Sequence, residues 1–476
     1  MTIDKGLGYL IIIICVCWAY TQGGIFGSLG VGAVGFVVYD FITQKKVWLP
    51  IGELALLLGG LQWVISPFFS YMTDNNVYSM SQPCNEYMMY TVPMYIAFMI
   101  GYYVFRPSLQ LSRIDLIKCC STAERLSTIL ICIGLLFIFL PVSVSALLFI
   151  KTLASYLFFI GFIIRMYVKP EKSTMYLLLG LGIQLLNSIR AGMFHELLIW
   201  GIFMIMTWFN VNEVPLKKRI LIFIMSFVGI FLLQTVKASY RQAIWYNDYS
   251  GSKVEFFFSL LVNNAININE VRSEKEETTI ARYNQGWIIS RIYNNIPQNH
   301  DFLGGRTYVD AFNSAILPRF LFPNKKGAGA QSREDFIEMT GYHLSRGTSM
   351  GLSILGESYG NFGLLGGTVF MFIWGVFIAK FISFIDRLSI KDFLWIMFLP
   401  IICFNLIKAE ISMMSVLNWT VKSVHAPGRR VEFAGRRVDQ VGRRIFVGVV
   451  IYLLRHLVMQ LQPIVEKEDD DIYFGE

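Results

Sequence analysis

Charge is scarce in this sequence. Of 476 residues only 16% are charged while 55% are hydrophobic, and the mean hydropathy is +0.52; soluble domains carry about 25% charged residues. That balance excludes an ordinary soluble enzyme and implies a polytopic membrane protein. The net charge of +8 is then not a nucleic-acid signal, because basic residues in such chains gather in cytoplasmic loops and orient the helices. A cysteine framework is also missing: Cys15, Cys17, Cys84, Cys119, Cys120, Cys132 and Cys403 are scattered and odd in number, which fits neither disulfides nor a zinc pattern. There is no G-x-x-x-x-G-K-[ST] nucleotide loop. The apolar stretch Tyr9 to Ala19 lacks a small-residue cleavage site and a second apolar run follows at once, so it reads as a retained helix.

What is present is a series of runs of the length a bilayer demands, about 20 residues each. Spans are predicted near 7–22, 24–43, 48–71, 88–105, 127–141, 144–167, 173–189, 193–210 and 218–236, then 361–386 and 391–409. The fold expected is all-α, with about 11–12 transmembrane helices. Lysine and arginine cluster after each even-numbered span: Lys45-Lys46, then Arg106 to Arg125, then Arg165 to Lys172, then Lys217 to Arg219. By the positive-inside rule the even connections are cytoplasmic. The chain thus divides into a bundle over 1–236, a polar segment over 237–360 delivered to the outer face, further spans over 361–421, and a tail over 422–476. In that tail Gly-Arg-Arg recurs at 428, 435 and 442, a spacing that stacks arginines on one helical face for anionic lipid headgroups.

The polar segment does not read as disordered. Phe256 to Leu261, Trp287 to Ile292, and Phe312 to Leu321 are helix-length pieces with an apolar face, suited to the membrane surface. Its basic and acidic residues nearly balance, so its arginines are placed individually, and arginine binds phosphate or carboxylate bidentately. Outside an inner membrane there is no ATP pool, so an anabolic substrate there carries its own activation, as a lipid diphosphate does. Cations for the leaving group and a base for the incoming hydroxyl are then required. Arg282 and Arg291 flank Trp287, one for phosphate and the other to pair with Glu276 or Glu277. A second cluster, Arg190 with His195 and Glu196, sits between two apolar runs; ionisable groups there are functional candidates, or Arg190 snorkels while the other two cap a helix.

The ordered set Arg282, Gly305-Arg306-Thr307-Tyr308, Leu317-Pro318-Arg319, Pro323-Asn324-Lys325-Lys326, Ser349 and Gly356-Glu357-Ser358-Tyr359-Gly360-Asn361-Phe362-Gly363 resembles the O-antigen (Wzy-type) and related oligosaccharide repeat-unit polymerases. Arg190 to Gly201 fits the Arg-x10-Gly spacing of such polymerases. The chain departs from them in its polar segment, where Arg241 to Gly251 is one residue short of a second copy. The resemblance implies a metal-independent glycosyltransferase of the bacterial inner membrane that needs no cofactor; the polar segment has no D-x-D. It implies an undecaprenyl-diphosphate-linked oligosaccharide as donor and acceptor, membrane lipid as surroundings, a chain-length regulator as partner, and no nucleic acid. Diphosphate or sugar would be held by Arg190, Arg282, Arg291, Arg306, Arg319, Lys325, Lys326 and Arg346. The proton acceptors would be Glu357, ranked first at a helix mouth, then His343, His195 and Glu196. Two other readings stand beside it: an O-antigen ligase, in which His343 gains importance, and a lipid-linked saccharide flippase, which the near absence of charge in the early spans disfavours.

Overall fold

The computed structural model describes residues 3–44, 49–72, 78–107, 120–141, 145–246, 249–266, 284–316, 328–344, 350–389 and 394–424. Among them every regular element is helical and no strand occurs. Five helices among the described residues are long and apolar enough to cross a membrane: Gly23–Thr43, Ile51–Ser70, Leu148–Val168, Leu216–Lys237 and Ile354–Ser389. Gly8–Thr21 and His195–Val211 are shorter apolar helices. The expected spans near 88–105, 127–141 and 173–189 are helices too, Cys84–Val104, Cys120–Phe139 and Ser173–Ala191.

One expected span, near 391–409, is not a continuous helix. In its described part, from residue 394, the chain forms two single turns, Leu394–Met397 and Leu399–Ile402, then an irregular stretch to residue 412. Pro400 lacks an N–H and its ring clashes with the carbonyl four residues back, which stops a continuous helix. Residues 397–407 are buried apart from Asn405, so their apolarity serves a protein core, as short apolar runs often do.

The chain forms two compact units, 1–109 with 215–387 and 403–421, and 110–214 with 388–402 and 422–476. In the first, helix α1 (Ile3–Thr43) is broken at Gly24, whose φ of 61° breaks the helical path. The run folds back there as a hairpin: Gly8 meets Tyr39, Gly35 meets Ile12, and Ser28 Oγ donates to Val16 O. Helices α2 (Ile51–Ser70) and α3 (Cys84–Val104) pack against it. The run α14 (Ile354–Ser389), broken at Gly363 where φ is 70°, crosses α3 so closely that a Cβ on Gly101 would lie 2.2 Å from Phe372 O. Such small-residue crossings bring helix backbones together where lipid offers no hydrophobic drive.

An ion network ties several helix ends of this unit together. Arg106, just beyond α3, places Nε 2.7 Å from Glu53 Oε1 and Nη2 2.9 Å from Asp40 Oδ2. Tyr103 donates to the same Asp40 at 3.0 Å, and Arg219, in the first turn of α9 (Leu216–Tyr246), donates to Gln44 O. Glu53 is only 3% exposed. A carboxyl so buried is tolerable because a cation sits on it.

The second unit contains α4 (Cys120–Phe139), α5 (Ser145–Ser155), α6 (Leu157–Val168), α7 (Ser173–Ala191) and α8 (His195–Val211). Nearly every residue of α6 is buried, and Phe159 stacks on Trp200 of α8 at 4.5 Å.

Candidate functional site

The polar segment supplies four described helices to the first unit: α10 (Lys253–Ile266), α11 (Gly286–Asn295), α12 (Arg306–Ile316) and α13 (Ala328–Thr340). Two have the amphipathic character expected. On α10 Phe257 and Asn264 are buried while Val254, Phe258, Val262 and Ile266 form an exposed stripe at four-residue spacing. On α12 the exposed apolar residues are Val309, Phe312 and Ile316.

Helix α11 corrects the expectation. It does not lie on a surface: Trp287, Ile288, Ile289, Ser290, Ile292, Tyr293 and Asn295 are all buried. Gln285 N donates to Gln62 O at 3.2 Å, inside the π-helical turn Leu61–Ile65 that interrupts α2. Ser290 Oγ accepts from Ser81 N, and Tyr293 OH bonds Thr91 at 3.0 Å. Gln62 lies eight residues inside the end of α2, about 12 Å at 1.5 Å per residue, so the segment is inserted among the helices. Its polar groups are all met by fixed partners: Ser290 Oγ by Ser81, while Gln285 Nε2 donates to Gly351 O and Asn295 Nδ2 to Glu338 O and Met339 O, within the polar segment itself. Periodicity revealed the apolar face; the partners for the polar face are remote in sequence.

Two of the sequence pieces that carry the resemblance, about 50 residues apart, form one hydrogen-bonded knot. Gly304 N donates to Asn361 O at 3.0 Å and Gly305 N to Asn361 Oδ1 at 3.1 Å. Asn361 Nδ2 donates to Thr307 Oγ1 and to Glu357 O, both at 2.8 Å. Tyr308 stacks on Phe370 at 4.3 Å. Gly305 has a φ of 92°, a value open to glycine and costly for other residues, which lets the turn press its N–H groups onto α14. Glu357, in the first turn of α14, is 1% exposed. Its Oε2 accepts from Met413 N at 2.7 Å, the first residue of α17 (Met413–Val424). Glu357 therefore caps a different helix from its own.

Arg306 is committed to acids: Nη2 bonds Glu338 Oε2 and lies 3.9 Å from Asp335 Oδ1. Burial raises the Asp335 carboxyl to about 6, against a Gln331 hydrogen bond and the Arg306 charge, both of which lower it. Arg291 is held differently. Its guanidinium carbon lies 5.8 Å from the Trp287 ring and 5.3 Å from the Tyr342 ring, and its buried Nε makes no hydrogen bond among the described residues. His343, next to Tyr342, is exposed. The Trp287–Arg291 spacing of four was legible as a helical pair; the second ring, from Tyr342, was not, nor were Asp335 and Glu338, and Asn361 stood in the ordered set without a role of its own.

The other cluster belongs to the second unit. Arg190 ends α7 exposed, Gly192 takes the left-handed cap at φ 66°, and His195 opens α8 exposed. Glu196 accepts from Tyr156 OH at 2.9 Å. The Arg190-to-Gly201 spacing is thus a helical hairpin. Arg282, Arg319, Lys325, Lys326 and Arg346, and with them the 317–326 stretch, lie outside the described residues, as does the arginine-rich tail.

No curated protein and no solved structure matches the chain. A family model does, over residues 62–387, a stretch that opens at the π-helical turn of α2 and contains α11, the knot and Arg291. The chain belongs to the family described as Domain of unknown function (DUF8712).

Proposed function

We propose that the chain is a membrane-embedded glycosyltransferase that joins oligosaccharide repeat units carried on a polyprenyl diphosphate. The observation that carries this reading is the knot between Gly304–Thr307 and Glu357–Asn361, which makes one built feature of two separate pieces of the polymerase-like pattern. Arg291, held by rings and without an acidic partner among the described residues, supplies a cation for an anionic substrate. In this reading the chain crosses the inner membrane about ten times, the run near 391–409 being no continuous helix, with residues 237–360 on the periplasmic side. The growing chain leaves its lipid diphosphate and joins a hydroxyl of the next lipid-linked repeat, whose proton goes to a side-chain base. His343 takes that role best, because it is exposed beside the Arg291 cradle while Glu357 is buried and occupied.

The same observation favours a second reading, transfer of the chain to a lipid A–core acceptor. Deletion of the gene separates the two. The polymerase reading expects lipopolysaccharide that carries a single repeat; complete loss of capped core makes it a ligase. An unchanged ladder removes both.

A further inference from the structure

The geometry points to Arg291, with Trp287 and Tyr342, as a binding site for a sugar carboxylate, so that the glycan handled by this chain contains a hexuronate-type residue. This rests on the saccharide reading above and names the chemistry of one subsite within it. Three observations carry it. The first is the partner inventory of Arg291. Arg106 meets Asp40 and Glu53, and Arg306 meets Asp335 and Glu338, but Arg291 meets no carboxylate among the described residues and its buried Nε is unbonded. Nε is enclosed by protein, so the groups open to a ligand are the two Nη groups of this half-buried arginine, which make no hydrogen bond among the described residues.

The second is preorganisation. Trp287 is fixed as a buried residue of α11 and by Tyr78, 5.0 Å away, and Tyr342 lies 6.0 Å from Trp287. The two rings hold the guanidinium by cation–π contact without consuming its in-plane N–H groups. Those groups match a planar carboxylate two to two. Tyr342 is 41% exposed, so one ring of the cradle is reachable from outside, and its face can cover a sugar ring.

The third is charge count. The cradle offers one full positive charge from a single arginine, which balances one carboxylate. A diphosphate carries more than one negative charge at neutral pH and would draw on a second cation; among the described residues no other arginine or lysine lies over either ring, and nearby Arg333 gives its Nη2 to Leu344 O.

The test is direct binding, independent of polymerisation. Full-length protein in detergent is titrated calorimetrically with a hexuronate tetrasaccharide, with its carboxyl-reduced hexose counterpart, and with inorganic pyrophosphate. The expected result is that only the hexuronate binds, that the reduced sugar does not, and that both Arg291→Gln and Arg291→Lys lose on the order of tenfold or more in affinity. Equal binding of the acidic and reduced sugars overturns the proposal. So does Arg291-dependent binding of pyrophosphate instead of hexuronate, which makes the site a diphosphate clamp and leaves the glycosyltransferase reading standing. Failure of every probe to bind overturns the site as well, while the genetic ladder above judges the broader function separately. Arg291→Lys keeps the charge over the rings, and melting of both variants close to the parent guards against a variant that merely fails to fold.

Discussion

Arg106 and Arg291 sit at two levels of the same unit, about 22 Å apart along α3 if residue 91, which meets Tyr293 beside Arg291, is counted to residue 106 at 1.5 Å per residue. Both are partly buried and both rest on a tyrosine ring. Arg106 has two carboxylates and its work is complete within the protein. Arg291 has rings on its faces and, among the described residues, no acid at its edge. The difference teaches that an arginine's hydrogen-bond inventory, more than its position in a motif, separates a structural cation from one kept for a ligand. Arg306, which lies in the motif, falls with Arg106 on this criterion.

The sharpest way to break the comparison is Arg106→Ala. It leaves the buried Glu53 carboxylate without its cation, and removal of one partner from a buried pair costs about 3–5 kcal/mol. The variant should unfold at much lower temperature in detergent, and Glu53→Gln added to it should restore much of the loss. Arg291→Ala leaves no carboxylate behind and should melt close to the parent. If both arginines cost the same, the distinction fails.

The next largest effect separates α11 from α10. Ile292→Ala opens a cavity in a buried helix and should cost about 2–4 kcal/mol. Val262→Ala, on the exposed stripe of α10, should stay within about 0.5 kcal/mol. Chemical denaturation curves of the two variants check this, and equal effects would return α11 to a surface.

Glu357 is tested by a pair. As a cap for Met413 it can be replaced by glutamine, which still presents an oxygen to the N–H, whereas Glu357→Ala should lose about 1–2 kcal/mol. Chain formation should survive Glu357→Gln and be abolished by His343→Ala at normal protein abundance. The opposite pattern in a polysaccharide gel makes Glu357 the base.

The smallest effect is a pH dependence at Asp335. Its carboxyl is raised by burial to about 6 from an ordinary 3.8, so the folded chain binds more protons than the unfolded one between those values, and stability falls as pH rises through that window. Asp335→Asn keeps an oxygen for Gln331 and removes the titration. Its melting temperature relative to the parent should rise by a few degrees between pH 4 and pH 7. A constant difference across that range would contradict the assignment.

The helical class and most spans were legible because hydropathy over about 20 residues is a local property. The hairpin at Gly24 and the helix pair around Arg190 follow from the same reading. Over 391–409 the reading failed because a buried core and a lipid-facing helix share one composition, and only Pro400 marked the break. The surface expectation for α11 failed for a related reason: an apolar face tells that a helix packs on something, and the polar partners at Gln62, Ser81 and Thr91 lie about 200 residues away. At the site, Arg291, Arg306, His343 and Glu357 were all visible as residue types. Their division of labour was not, since it depends on Glu338, Tyr342 and Met413, which meet them only after folding.

The measurement that tests the central claim most directly is polymerisation by the purified protein in liposomes supplied with a polyprenyl-diphosphate-linked oligosaccharide repeat. The account predicts a ladder of lipid-linked products spaced by one repeat, formed without ATP and with release of polyprenyl diphosphate. Recovery of the donor unchanged, by protein that melts cooperatively in the same liposomes, would contradict it.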